Sequence, residues 1–200
     1  MKTPGSVIVI SGPSGAGKST VIGELTKIRN DLYFSVSATT RKMRPGEKDG
    51  VNYHFVTQEK FDDMVKNGEL LEHAGYADNS YGTPKEPVKD AVREGKSVLL
   101  DIEVQGALQV KAAMDDAILV FLIPSHLSDL RQRLLGRSTE DIEVVEKRLK
   151  IALTELEQLG KYDYIIFNDD VCEAVKELDS IITAGKCRRH NREALVDKTL

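Results

Sequence analysis

The stretch Gly12-Pro13-Ser14-Gly15-Ala16-Gly17-Lys18-Ser19 reads G-x-x-x-x-G-K-S, and its flanks decide what that spelling means. Before it, Ser6-Val7-Ile8-Val9-Ile10 is a short apolar run of strand type; after it, Val21, Ile22, Leu25 and Ile28 recur at helical spacing. Strand, glycine loop, helix is the setting a phosphate-binding loop requires. Glycines let backbone N–H groups turn inward at a helix N-terminus, where a polyphosphate is stabilised. Lys18 adds positive charge at the outer phosphates, and the Ser19 hydroxyl suits Mg²⁺. The chain is therefore expected to bind a nucleoside triphosphate through Gly12 to Ser19 and Thr20, the next helical residue.

Working outward, further strand-like runs lie at Phe34 to Ser37, Ser97 to Asp101, Ala117 to Ile123 and Tyr164 to Asn168. Helical patterns separate most of them, including Val104 to Ala113 and Val171 to Ala184, the latter with Val175, Leu178 and Ile182 on one face. Apolar strands alternating with helices predict an α/β fold, a parallel five-stranded sheet covered by helices. Two stretches break the rhythm. Residues 38–95 are polar and glycine-spotted, with strand signals at Tyr53 to Val56 and Leu70 to Ala74 and a short helix around Phe61 and Met64, so an inserted α+β lobe is expected. Residues 125–160 carry only helical signals and several arginines, as a helical lid would; the expected stripe of its later helix is Ile142, Val145, Leu149, Leu153 and Leu156. The core is then residues 1–37, 96–124 and 161–200.

Composition narrows the function classes. Two hundred residues with 40% hydrophobic and 30% charged side chains suit one globular domain with insertions, and a net charge of −4 argues against general nucleic-acid or membrane-surface binding. Small-molecule partners and a cytoplasmic location are expected. Cys172 and Cys187 show no metal spacing and are expected to be free thiols.

The inserted lobe offers a place for a second phosphate. Arg41 and Arg44 lie three residues apart near Ser37, and guanidinium forks match phosphate oxygens in pairs. Tyr53 and Tyr81 can add phenol contacts. Glu72 is the natural acceptor for the N1–H and N2–H₂ donors of guanine, a donor pair that adenine lacks on that edge. Thr83 can donate to O6, although Thr83-Pro84-Lys85-Glu86 also reads as a helix N-cap followed by a first-turn proline and glutamate. Asp101 ends a buried strand, the place where open parallel sheets bind ligands, and is expected to orient Mg²⁺ together with Ser19. Glu103 follows on the same side and is within reach of the acceptor base. A helix-capping role for these acids and a packing role for the tyrosines are the plainer alternatives.

In order and spacing these blocks resemble the guanylate kinase family from about Ser6 to Ile182. They are the phosphate loop, Ser37-Ala38-Thr39-Thr40-Arg41 with Arg44-Pro45-Gly46-Glu47, Asn52-Tyr53, Leu71-Glu72-His73-Ala74, Tyr81-Gly82-Thr83, Asp101-Ile102-Glu103-Val104-Gln105-Gly106, Arg133-Leu134-Leu135-Gly136-Arg137 and Asn168-Asp169-Asp170. The resemblance implies a P-loop NTPase-type core with a GMP-binding lobe and a lid. It implies ATP as co-substrate, Mg²⁺, and transfer of the γ-phosphoryl to GMP. On that reading Ser37, Arg41, Arg44, Tyr53 and Tyr81 contact the GMP phosphate, and Glu72, Thr83 and Glu103 the base. Arg133, Arg137 and Arg148 join Lys18 and Arg41 as charge-stabilising catalytic groups, and Asn168 lies near the ATP base. Many family members carry aspartate where this chain has Glu103. A kinase for another nucleoside monophosphate, or a non-catalytic module of the same fold, are the alternatives; Glu72 with Thr83 argues against the first and an intact Lys18 against the second.

Overall fold

The computed structural model describes residues 3–76, 78–136, 142–193 and 196, and Arg137 lies outside the described residues. The chain opens with β1 (Val7–Ser11), the glycine loop and α1 (Lys18–Ile28). It continues through β2 (Leu32–Phe34), β3 (Ala38–Thr39), β4 (His54–Phe55), α2 (Gln58–Lys66), β5 (Leu70–Tyr76), β6 (Asn79–Pro84) and α3 (Lys85–Arg93). The second half runs β7 (Ser97–Asp101), α4 (Val104–Ala113), β8 (Ile118–Ile123), α5 (Leu127–Leu135), α6 (Ile142–Leu156), a 3₁₀ turn at Leu159–Lys161, β9 (Tyr164–Phe167), α7 (Val171–Lys186) and α8 (Arg189–Arg192).

Five of these strands form one parallel sheet in the order β2-β7-β1-β8-β9, as the apolar runs predict. Period-2 alternation sorts its side chains between the two faces. Ile8 and Ile10 of β1 pack with Val21 and Leu25 of α1 and Leu178 and Ile182 of α7. Val7 and Val9 pack the other way, with Val88 and Ala91 of α3 and Ala107 and Val110 of α4. Each fully buried aliphatic side chain contributes about 2 kcal/mol of transfer free energy. The glycine loop is thereby mounted between β1 and α1, two elements anchored in the buried core.

The second sheet, β4-β3-β6-β5, belongs to the inserted segment. Here the structure departs from the expected elements. The run read as one strand from Phe34 to Ser37 is split between sheets: Ser35 N–H still donates to Leu99 O of the core, whereas Ser37 O already accepts from His54 N–H of the lobe. The strand expected to stop at Ala74 reaches Tyr76, because β6 pairs antiparallel along it. β6 itself was not anticipated, since Asn79-Ser80-Tyr81-Gly82-Thr83-Pro84 is poor in strand formers and is made a strand by tertiary pairing. Consequently the cap reading of Thr83 is corrected: Pro84 is the N-cap of α3, no side chain caps that helix, and Thr83 is a strand residue. α3 also lies inside the 38–95 span expected to form the lobe, yet it packs on the core sheet.

In the 125–160 segment α5 and α6 share a small core of Leu130, Leu134, Val145 and Ala152, with Leu149 packed against it. The expected apolar stripe is corrected at its ends, for Ile142 is 67% and Leu153 52% exposed while Ala152 is buried. Among the described residues no helix is long and apolar enough to cross a membrane.

Candidate active site

The glycine loop takes the shape its sequence requires. Gly12 has φ 149° and approaches β8 so closely that a Cβ there would lie 2.0 Å from Leu122 O. Gly17, the N-cap of α1, has φ 94°, and a Cβ would lie 2.3 Å from Asn168 Nδ2. Side chains are excluded at both positions by space as well as by backbone conformation. The Lys18 ammonium donates to Gly12 O, and Ser19 and Thr20 stand exposed in the first turn of α1.

Three groups from distant parts of the chain brace this loop. Asn168 Nδ2 donates to Ala16 O at 2.7 Å, and Arg133 Nη2 donates to Asn168 O at 2.7 Å while its Nη1 reaches Ala16 O at 3.4 Å. Arg148 Nη1 on α6 donates to Ser14 Oγ at 3.2 Å. The lid arginines 133 and 148 therefore reach the loop from separate helices. Asn168, expected beside the nucleotide base, is only 3% exposed and uses its amide on the loop backbone. Its amide is a bracing contact on the loop.

A cavity of about 810 Å³ lies between the core sheet, the inserted lobe and α6. Ser37, Arg41, Arg44, Tyr53, Glu72, Tyr81, Asp101 and Glu103 all line it, although they come from five separate stretches of sequence. Arg41 ion-pairs with Glu47 at 2.7 Å and lies 5.3 Å from the Tyr53 ring centroid and 5.7 Å from that of Phe55. Tyr53 and Tyr81 meet edge to face at 5.9 Å. Glu47 also accepts from Arg44 N–H at 2.8 Å, so one carboxylate shapes the whole arginine loop and holds Arg41 aimed along the cavity wall.

Glu72, 5% exposed, also lines the cavity and accepts the Thr83 hydroxyl at 2.7 Å. Burial pushes its carboxyl above the ordinary value, and the bonds from Thr83 oppose that rise. Thr83 is fully buried and does not line the cavity. Its hydroxyl donates to Glu72 and so supports the carboxylate from behind.

Asp101 joins the two regions. Burial raises its pKa, the Lys18 charge opposes that, and Glu103 adds to it. Lys18 thus stands electrostatically between loop and cavity. Two residues not singled out from sequence also belong here. Glu47 gave a signal, a lone carboxylate six residues after Arg41. Glu155 gave none, because Thr154-Glu155-Leu156-Glu157 looks like an ordinary solvated helix face. It lines the cavity from α6, where burial, then the neighbouring charge and hydrogen bond of Glu103, push it up to about 7.

A family model described as guanylate kinase matches residues 5–185. The guanylate kinase of Halalkalibacterium halodurans is 46% identical over 197 residues, covering 98% of this chain and 95% of that protein. That of Clostridioides difficile is 47% identical over 182 residues, covering 91% and 89%. Among solved structures, the crystal structure of guanylate kinase from Anaplasma phagocytophilum superposes with a TM-score of 0.77 at 33% identity, covering 97% of this chain and 96% of that one.

Proposed function

The chain belongs to the guanylate kinase family, and from that premise we infer that it transfers the γ-phosphoryl of ATP to GMP reversibly, giving ADP and GDP, as a cytoplasmic enzyme of purine nucleotide metabolism. The observation that carries the acceptor assignment is the buried Glu72 carboxylate, fixed by Thr83 in the wall of a cavity that Arg41, Arg44, Tyr53 and Tyr81 also line. A carboxylate together with cations and phenols in one cavity matches a guanine base and a monophosphate joined by a ribose. The same contacts serve dGMP.

The chemistry asks for little proton transfer. The attacking atom is an oxygen of the acceptor monophosphate, already anionic; it forms a bond to the γ-phosphorus as the bond to the β,γ-bridging oxygen breaks and ADP departs. Two anions must be held in line and their charge offset. Lys18 and the loop N–H groups of Gly12 to Ser19 would hold the donor phosphates. Arg41 and Arg44 would hold the acceptor, and Arg133 and Arg148 would bring positive charge over the transferring group from the lid. Arg137 belongs to this proposed set from sequence alone. Closure of α5 and α6 over the site would keep out water, which would otherwise receive the phosphoryl group.

The donor set fits Mg²⁺. The Ser19 hydroxyl and the Asp101 carboxylate are hard oxygen ligands, and Mg²⁺ takes most of its other ligands from water and nucleotide phosphates. Ser19 and Asp101 would hold it, and when bound it would offset phosphate charge.

The test is ADP release in a coupled assay with ATP and Mg²⁺, comparing GMP, AMP, UMP and dTMP. Turnover confined to GMP is expected. Preference for another acceptor would reject the Glu72 pocket, and no turnover with any acceptor would reject catalysis.

A further inference from the structure

Gly106 is the third residue of α4, and nothing in its backbone asks for glycine. It is absent from the positive-φ glycines, and in a helix alanine is the better former. The reason for glycine is spatial. A Cβ at position 106 would lie 2.4 Å from Glu72 Oε2, 3.0 Å from Glu72 Cδ and 3.4 Å from Glu72 Cγ, and these are its three nearest neighbours. The first distance is shorter than real Cβ contacts reach, so either the carboxylate or the helix must move.

Neither can move freely. One turn along α4, Gln109 is clamped to the β5 backbone: His73 N–H donates to Gln109 Oε1 at 3.1 Å, and Gln109 Nε2 donates to His73 O at 2.9 Å. The side-chain amide behaves as a strand neighbour and fixes the separation of α4 from β5. Thr83 meanwhile holds the other carboxylate oxygen, Glu72 Oε1. The carboxylate is thus pinned between a hydroxyl on β6 and the bare backbone of α4, and its direction into the cavity follows from both.

We propose that Gly106 is a positioning residue for base selection, the empty side-chain position against which the Glu72 carboxylate is set to face guanine. The selectivity part rests on the assignment of this cavity to GMP; the packing part does not. Gly106→Ala would push Glu72 Oε2 aside and misalign a bidentate acceptor, leaving the arginines of the cavity and the ATP loop untouched.

Thermal unfolding of the wild type, Gly106→Ala, Glu72→Ala and the double variant tests the packing. Gly106→Ala is expected to lower Tm in the wild-type background and to leave it unchanged or raise it in the Glu72→Ala background, where the colliding atoms are gone and helix propensity favours alanine. Should Gly106→Ala fail to fold, recovery of folding in the double variant supports the proposal. Equal losses in both backgrounds, or a double variant that also fails to fold, overturn it. For selectivity, kcat/KM is compared for GMP and IMP, which lacks the 2-amino group. The GMP:IMP ratio should fall about tenfold in Gly106→Ala with KM for ATP unchanged, and the substitution should add nothing in a Glu72→Ala background, where the carboxylate it displaces is gone. An unchanged ratio, or an equal rise in both substrates' KM, would sink the positioning role. A wild type that uses neither acceptor would fail the proposed function while leaving the unfolding comparison to decide the packing.

Discussion

Glu72 combines two demands that conflict in a buried carboxylate: it must be shielded from water to recognise donors strongly, and it must stay ionised to accept them. Burial raises its pKa while the Thr83 hydroxyl and backbone bonds work against that rise, so Thr83 serves the charge state of a neighbour as well as its direction. Replacing Glu72 by glutamine removes a charge-assisted acceptor pair, and kcat/KM for GMP should fall by about 2 kcal/mol in transition-state terms, roughly thirtyfold, with KM for ATP little changed. Unaltered GMP kinetics in Glu72→Gln would reject the base assignment. Thr83→Val keeps the shape and deletes only the hydroxyl, so it should cost about 1 kcal/mol of stability and a smaller share of GMP selectivity, read from denaturant midpoints and the same kinetics. That Arg41, Tyr53 and Glu72 line one cavity was legible in the sequence because guanidinium, phenol and carboxylate are the chemistries sought for a phosphate and a guanine. The position of Thr83 could not be found there, because Thr-Pro-Lys-Glu satisfies the rules for a helix start equally well and only the pairing of β6 with β5 decides between them.

Elements show the same division between what local pattern carries and what pairing decides. The three central strands β1, β7 and β8 were legible because both their faces are buried, which leaves continuous apolar runs in the sequence, whereas the edge strand β2 was read too far along the chain, at Phe34 to Ser37 instead of Leu32–Phe34. The lobe strands were not legible, since β3 and β4 span two residues each and β6 contains glycine, asparagine and proline. The glycine loop was legible as a motif, but its support was not, because Asn168 and Arg133 approach Ala16 O from sequence distances of 152 and 117 residues. This bracing makes the residue after β9 a support of the glycine loop proposed to hold ATP. Asn168→Ala should leave Ala16 O short of its best donor, cost about 1 to 2 kcal/mol of stability, and raise KM for ATP while KM for GMP stays near the wild-type value. An Asn168→Ala protein whose GMP affinity falls as much as its ATP affinity would mean that the residue serves overall packing rather than the loop.

At the scale of the whole molecule, two charge clusters tie together parts of the chain that are distant in sequence, and they respond to pH in opposite directions. Arg29, just beyond α1, bonds Asp31, Asp179 and Thr183, and Lys186 completes the cluster on Asp31, so the first helix is tied to α7. The Arg29 and Lys186 hydrogen bonds hold the Asp31 carboxyl well below its ordinary value of 3.8. The stability it contributes is therefore present above that value and is lost as pH falls through the folded-state value. Across the lid, Glu155 faces Glu103 with Lys18 nearby, and burial with that carboxylate neighbour raises Glu155 from 4.5 to about 7. The sign is reversed here: the fold favours the protonated acid, so its contribution is complete below 4.5 and is lost as pH rises through about 7. A thermal-unfolding profile against pH should consequently fall on both sides of a mildly acidic maximum. Asp31→Asn should lower Tm at neutral pH and flatten the acid limb alone, because it removes the linked proton and the ion pairs together. Glu155→Gln should flatten the limb between about pH 5 and 8 and raise Tm most at the alkaline end, since the amide keeps a donor for Glu103 without ionising. Were Glu155→Gln to leave the slope of that limb unchanged, the lid would be held by its apolar contacts with α5 and not by a shared proton between α6 and the start of α4.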